Sequence, residues 1–247
     1  MRLTVLGCAG TFPGPDSCCS SYLLEQDGFR LMIDCGTGAV GALQRADALL
    51  DVDAVLLSHL HADHCLDLVA WYYSRYYHPE GPRPTLPVYG PQGSAERIAK
   101  AFDDVPLGLS STYDWRLAKA GHMEIGPFDI ELAAMRHPIE SLGMRIIAGG
   151  KTFAYSSDTA ECDALPAIAR DADFLLSEAS WLHGCAHPDG VHMSGIESAG
   201  MANRAGAGRL VLTHVVPWCS RDAILAEALT VRPEGTEMAQ PGGSYEI

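Results

Sequence analysis

Apolar residues recur along the chain in short runs separated by polar and glycine-bearing stretches. LTVLG near residue 3, FRLMID near 29, DAVLLS from 53, LPVYG from 86, FDIELAAM from 128, TFAYSS from 152, DFLLS from 173 and RLVLT from 209 are rich in Val, Leu, Ile and Phe and predict strands. Between them the spacing changes. Ala95, Ile98, Ala99 and Phe102 fall at i, i+3, i+4 and i+7, and Ser194 with Glu197 forms a capping box opening a helix to about Arg204. Residues 38–49 and 221–229 also predict helices. Strands cluster early and again late, with helices in both halves, which predicts two β-rich layers covered by helices rather than one doubly wound parallel sheet.

The 247 residues suit one domain, 1–247, large enough to bury a full core. With 47% apolar and 19% charged residues the composition is that of a soluble globular protein. No apolar run approaches the roughly 20 residues needed to cross a bilayer, and LTVLGCAG is too short for a signal peptide's apolar core, so a cytoplasmic protein with no membrane partner is expected. The net charge of −14 repels polyanions and argues against a large nucleic-acid partner, although a local metal site could still hold a small anion. Eight cysteines without a CxxC pair read as reduced thiols, most of them small buried apolar residues.

The chemistry concentrates in SHLHADHCLD, Ser58 to Asp67, directly after the strand DAVLL. His59, His61, Asp63 and His64 occupy six residues there, and a tight loop can converge such side chains on one point. Imidazole with carboxylate is the donor set that zinc and similar divalent ions prefer when water must stay bound. His137 follows FDIELAAMR, Asp158 follows TFAYSS and His214 follows RLVLT. Carboxyl ends of strands form the rim where α/β architectures place their sites. One tetrahedral ion would use four donors, whereas seven suit two ions sharing a carboxylate and a water.

The HxHxDH arrangement of His59, His61, Asp63 and His64 resembles that of the metallo-β-lactamase-fold hydrolases, and the motif order follows that superfamily along essentially the whole chain. The resemblance implies an αββα sandwich, an α/β fold of two mixed β-sheets covered by helices. It implies that His59, His61 and His137 hold a first metal, that Asp63, His64 and His214 hold a second, and that Asp158 bridges them. The ions implied are zinc, with manganese the alternative. HPIESLGMR from His137 and SEASW at 177–181 are similar to elements of the ribonuclease Z-like branch, in which His192 of GVHMSG falls where that branch carries a catalytic histidine. LSHLHADHCLDL, RYYHP, YGP, YSSDT, SEASW and LTHVVPW in this order resemble the actinobacterial atypical class II cyclic-nucleotide phosphodiesterases.

Ribonuclease Z proper carries a long Gly- and Pro-rich arm that grips transfer RNA, and the stretches joining His137, Asp158 and Ser177 are too short to hold one. The expected substrate is therefore a small phosphodiester, a 3′,5′-cyclic nucleotide foremost. A bridging water deprotonated near neutral pH would attack phosphorus, with Asp63 orienting it and His192 protonating the leaving oxygen. Glu178 is expected to orient His192. The alternative is another hydrolase of the same fold, such as a lactonase, a thioesterase, another cyclic-phosphate esterase or a ribonuclease-like enzyme. A redox di-iron protein is disfavoured because His61 stands where those carry a carboxylate.

Asp34 of MIDCGTG has two readings, support of a metal ligand from behind or plain turn chemistry; a strand-end aspartate before glycine most often serves the turn, and it is left out of the catalytic set. The stretch Trp71, Tyr72, Tyr73, Tyr76, Tyr77 is expected to serve core packing or a homodimer contact rather than base stacking. His78, His122, His183 and His187 lack a strand-end context and read as surface residues, the last two flanking a loop near His192.

Overall fold

The computed structural model describes residues 1–102 and 109–247. Its strands are β1 (Arg2–Ala9), β2 (Cys18–Cys19), β3 (Ser21–Gln26), β4 (Phe29–Ile33), β5 (Ala54–Leu56), β6 (Leu86–Gly90), β7 (Tyr113–Leu117) and β8 (Gly121–Ile125) in the first half. They continue with β9 (Phe128–Ala134), β10 (Leu142–Ala148), β11 (Lys151–Tyr155), β12 (Phe174–Glu178), β13 (Arg209–Thr213), β14 (Thr236–Met238) and β15 (Ser244–Glu246). One sheet has the order β15-β1-β3-β4-β5-β6-β7, with β2 paired to β1, and the other β14-β13-β12-β11-β10-β9-β8. Each is mixed: β4 to β7 run parallel in the first, β11 to β14 in the second, and the remainder is antiparallel apart from the parallel β1–β2 pair.

The apolar runs are continuous because most strands are buried on both faces. Leu31 and Ile33 of β4 and Leu56 of β5 point inward and meet Met144, Ile146, Phe153, Leu176 and Val211 of the other sheet. Their neighbours Met32, Val55 and Leu57 point outward under Leu43, Leu68 and Trp71, which belong to or flank α1 (Ala39–Arg45), α2 (Ala62–Cys65) and α3 (Leu68–Tyr76). The first sheet also carries α4 (Ser94–Ala99) and α5 (Leu109–Thr112). On the far side Leu175, Leu210 and Leu212 pack beneath α6 (Ala164–Ile168), α7 (Gly195–Ala205) and α8 (Arg221–Val231) through Leu165, Ala199, Ala202, Ile224 and Ala228. The αββα sandwich thus follows from the period of two within each run.

Both hydrogen bonds of the Ser194–Glu197 capping box form, and Gly206 closes α7 in the left-handed region. Two helices are shorter than the periodicity predicts, α1 ending at Arg45 and α4 before Phe102, while α7 reaches its predicted end and α8 runs to Val231, two residues past its own. Trp71 and Tyr72 are fully buried, whereas Tyr73 and Tyr77 are exposed, so the aromatic stretch serves the core with only part of its side chains. Among the described residues no helix is long and apolar enough to cross a membrane.

The parallel strands of both sheets bring their carboxyl ends to one edge of the sandwich. The sheets are stitched together there by Tyr22 Oη with Thr213 Oγ1 at 2.7 Å and by the Leu142 amide donating to the Ser58 carbonyl at 3.0 Å.

Candidate metal centre

Every metal-capable residue predicted from the sequence lies at this edge. His59 and His61 follow β5, while Asp63 and His64 stand on α2, a single helical turn where a loop was expected. His137 follows β9, Asp158 follows β11 and His214 follows β13. The side chains form two donor groups, each with its ligand atoms within 4.8 Å of one another: His59, His61, His137 and Asp158 in one, Asp63, His64, Asp158 and His214 in the other. Asp158 is common to both.

In the first group His61 Nδ1 lies 3.2 Å from His59 Nε2 and 3.1 Å from His137 Nε2. Nitrogens about 2.0–2.1 Å from a tetrahedral ion would stand at nearly that separation. In the second, His214 Nε2 lies 3.2 Å from both His64 Nε2 and Asp63 Oδ2. Asp158 Oδ1 is 3.2 Å from His64 Nε2, and its Oδ2 is 3.3 Å from His214 Nε2 and 3.6 Å from His59 Nε2. Asp158 Oδ1 is nevertheless a buried acceptor with no hydrogen-bond partner in acceptable geometry. Such an atom is costly unless a cation satisfies it, so the residues fit divalent ions.

Four of the five rings have an outer partner that fixes which nitrogen faces the centre. Ser58 Oγ meets His59 Nδ1 at 3.1 Å, Asp34 Oδ2 meets His64 Nδ1 at 2.8 Å, the Val191 carbonyl meets His137 Nδ1 at 2.9 Å and Ser180 Oγ meets His214 Nδ1 at 3.0 Å. Those four present Nε2, while His61 presents Nδ1. The Thr11 amide donates to Asp63 Oδ2 at 2.7 Å.

Asp34 is the residue that the sequence reading undervalued. Fully buried with φ 57°, it accepts from the Ser58 amide at 2.7 Å, Ser58 Oγ at 2.8 Å and Tyr155 Oη at 3.0 Å as well as from His64. Its position directly after an apolar strand, β4, like the ligands that follow β5, β9, β11 and β13, was the available signal. Ser58, Ser180 and the two backbone groups left none.

The charges settle consistently. Burial, aided by the neighbouring His64, holds the His59 imidazole well below its usual range, and burial with His137 lowers His61. His64 moves the other way: burial opposes its charge, but Asp158 and Asp34 outweigh burial and raise it well above the usual value. Asp158, against burial, is held well below the carboxylate range by His214, His64 and His59.

Glu178, Ser180, His192 and Met193 form a second polar layer. Glu178 accepts four hydrogen bonds, from the Thr159 amide, His192 Nδ1, Ser180 Oγ and the Met193 amide. Against burial, Glu178 pushes His192 up to about 9. The ring centroids of His137 and His214 lie 5.4 and 5.1 Å from that of His192. His122 and His183 are exposed, but His187 is half-buried and stacks on Trp181 at 4.0 Å, itself edge-on to His192 at 5.1 Å. Cys65, beside His64, donates to the His61 carbonyl at 3.2 Å and belongs to neither donor group, and burial pushes its thiol up to about 11.

Two helix-covered mixed sheets with a His/Asp centre at the strand ends define a metal-dependent hydrolase of the metallo-β-lactamase type. The comparisons agree: residues 29–215 match the family described as the β-lactamase superfamily domain, and the chain belongs to it. Probable metallo-hydrolase YhfI of Bacillus subtilis is 32% identical over 253 residues, 100% of each chain. Its crystal structure superposes with a TM-score of 0.89 at 29% identity, covering 99% of both. An uncharacterized protein of Mycobacterium tuberculosis is 42% identical over 238 residues, 92% of this chain and 85% of the relative. Ribonuclease Z of Mycobacterium bovis is 32% identical over 256 residues, covering 88% and 86%.

Proposed function

We propose that the protein is a dinuclear metal-dependent phosphodiesterase of small phosphodiesters, 3′,5′-cyclic nucleotides foremost. The observation that carries this reading is the pair of donor groups sharing Asp158, with the His192–Glu178 pair beside them. His59, His61 and His137 would hold one ion, Asp63, His64 and His214 the other, and Asp158 would serve both; zinc suits the set, with manganese the alternative. Such ions, when bound, lower the pKa of water and neutralise charge on phosphoryl oxygens.

The chain's own residues supply the rest. Asp63 gives Oδ2 to the Thr11 amide and His214, which leaves Oδ1 to orient a water. His192 has Nδ1 fixed by Glu178 at 3.0 Å, so Nε2 is the atom from which a proton passes to the departing ribose oxygen. Glu178, accepting from Nδ1, favours the charged imidazole that this role needs. The relative named ribonuclease Z supports attack at phosphorus, and the net charge of −14 favours a small ester over a long polyanion.

The test is a hydrolysis panel on zinc- or manganese-loaded protein: cyclic AMP, cyclic GMP, a 2′,3′-cyclic nucleotide, a chromogenic phosphodiester, a lactone and a transfer RNA precursor. Turnover of a cyclic nucleotide well above that of the lactone and the precursor is expected. A lactone or precursor cleaved faster than every small phosphodiester would overturn the reading.

A further inference from the structure

Trp218 is 76% exposed, the most exposed of the large apolar side chains among the described residues. An indole left in water forfeits a large burial gain, and nothing in the fold requires it at this place. Its position is informative. Trp218 lies four residues past His214, on the loop leaving β13, and its ring packs at 4.8 Å and 44° against Phe12. Phe12 follows Thr11, whose amide holds Asp63.

The two loops are locked to each other at the metal centre. The Gly10 amide donates to the Val215 carbonyl at 3.0 Å, and a Cβ on Gly10 would stand 2.4 Å from the His214 carbonyl oxygen, so only glycine allows this approach. Thr11, although β-branched, sits at φ 66°, and His214 at φ 57°. The Val216 amide donates to the Ser180 carbonyl at 3.2 Å, which ties the Trp218 loop to the end of β12 beside His192. Phe12 and Trp218 are thus carried by the same backbone that places Asp63 and His214. The exposed Tyr73 and Tyr77, by contrast, stack on each other at the carboxyl end of α3, in the outer helical layer.

We propose that Trp218, backed by Phe12, is the platform on which the base of a nucleotide ester stacks while its phosphodiester lies between the two donor groups. The inference rests on the phosphodiesterase reading above and adds the substrate class: an ester bearing a planar heterocycle. Stacking on an aromatic side chain tolerates every base, because each has a π-face. Trp218 therefore selects for nucleotides over base-free phosphodiesters without selecting strongly among the bases.

The test compares two substrates of the metal-loaded full chain, cyclic AMP and methyl ribofuranoside 3′,5′-cyclic phosphate, which lacks the base. In Trp218→Ala the preference for cyclic AMP, taken as the ratio of the two kcat/KM values, should fall about tenfold or more, through KM rather than kcat. Trp218→Phe should restore most of the preference, and bound metal should stay at its wild-type level. An unchanged ratio, or equal losses on both substrates, would overturn the proposal. So would a dimer that dissociates on Trp218→Ala, which would assign the indole to an interface. If the wild type cleaves neither ester, the phosphodiesterase reading fails, and indole quenching by AMP against ribose 5-phosphate then decides the platform alone. Quenching by AMP that Trp218→Phe abolishes would uphold it, and equal or no quenching by the two would reject it.

Discussion

Replacing Asp34 by Asn changes one oxygen to an amine, and the geometry allows no comfortable orientation. Asp34 Oδ2 takes three donors, from Ser58 Oγ, His64 Nδ1 and Tyr155 Oη, while Oδ1 takes the Ser58 amide. If the Asn carbonyl replaces Oδ2, its amine faces the Ser58 backbone N–H, donor against donor. One buried amide left unsatisfied costs about 1–3 kcal/mol, or roughly 3–10 °C in Tm for a chain of this size. If the amide flips, the amine faces His64 Nδ1, and the ring must shift its proton to Nε2, the atom that faces Asp158 and His214. Loss of such an outer partner typically lowers metal affinity about 10- to 100-fold. Asp34→Asn should therefore melt several degrees below wild type when metal-free and bind the ion that His64 would hold at least tenfold less tightly. Thermal unfolding after chelator dialysis and a competitive zinc titration read these separately. Wild-type affinity at both positions would refute the argument that Asp34 sets the His64 tautomer.

Three further outcomes are expected. Wild-type protein should bind two divalent ions per chain by elemental analysis, and Asp158→Ala should reduce that number, since its carboxylate reaches both donor groups; a stoichiometry of one in both proteins would exclude the shared centre. His192→Ala should keep its ions yet lose ~10² or more in kcat on a nucleotide ester and much less on a nitrophenyl ester, whose phenolate leaves unaided; equal losses on both would remove the proton-donor role. In the metal-free fold Asp158 and Asp34 outweigh burial to raise His64, so its contribution to stability is complete below the usual value of 6.5 and is lost as pH rises through the higher folded value. Metal must displace that proton, so zinc binding should release about one proton near pH 7 and tighten as pH rises; a binding enthalpy independent of the buffer's ionisation enthalpy would contradict this.

The layered fold was legible because its central parallel strands are buried on both faces, which makes them continuous apolar runs such as DFLLS and RLVLT. Strands with mixed patterns were harder to read. In β3, SYLLEQ, the last two residues are half-exposed, and β8, GHMEI, has only Ile125 buried. Such strands exist through their pairing, β8 against β9 along Gly121 to Ile125, and no local period announces them.

The seven donors were legible for a different reason: a histidine or aspartate directly after an apolar strand has few structural uses, and four strands repeat the device. Asp34 and Asp158 show where that logic ends. Each follows an apolar strand, yet Asp158 lies between the two donor groups while Asp34 stands one layer out behind His64. What separates them is which donors surround each carboxylate, from its own sheet and from the other. Tyr155 of β11 and Ser58 after β5 supply Asp34 with donors that satisfy its carboxylate, whereas the buried Asp158 Oδ1 makes no hydrogen bond in acceptable geometry and faces the imidazoles of both donor groups, an environment that suits a cation. The backbone carries a matching mark. Of the seven non-glycine residues with positive φ among the described residues, four, Thr11, Asp34, Ser157 and His214, stand at this rim, each in a conformation costing about 1–3 kcal/mol. That strain persists where the surrounding structure over-determines it, and here it is concentrated where donors from two sheets must converge within a few ångströms.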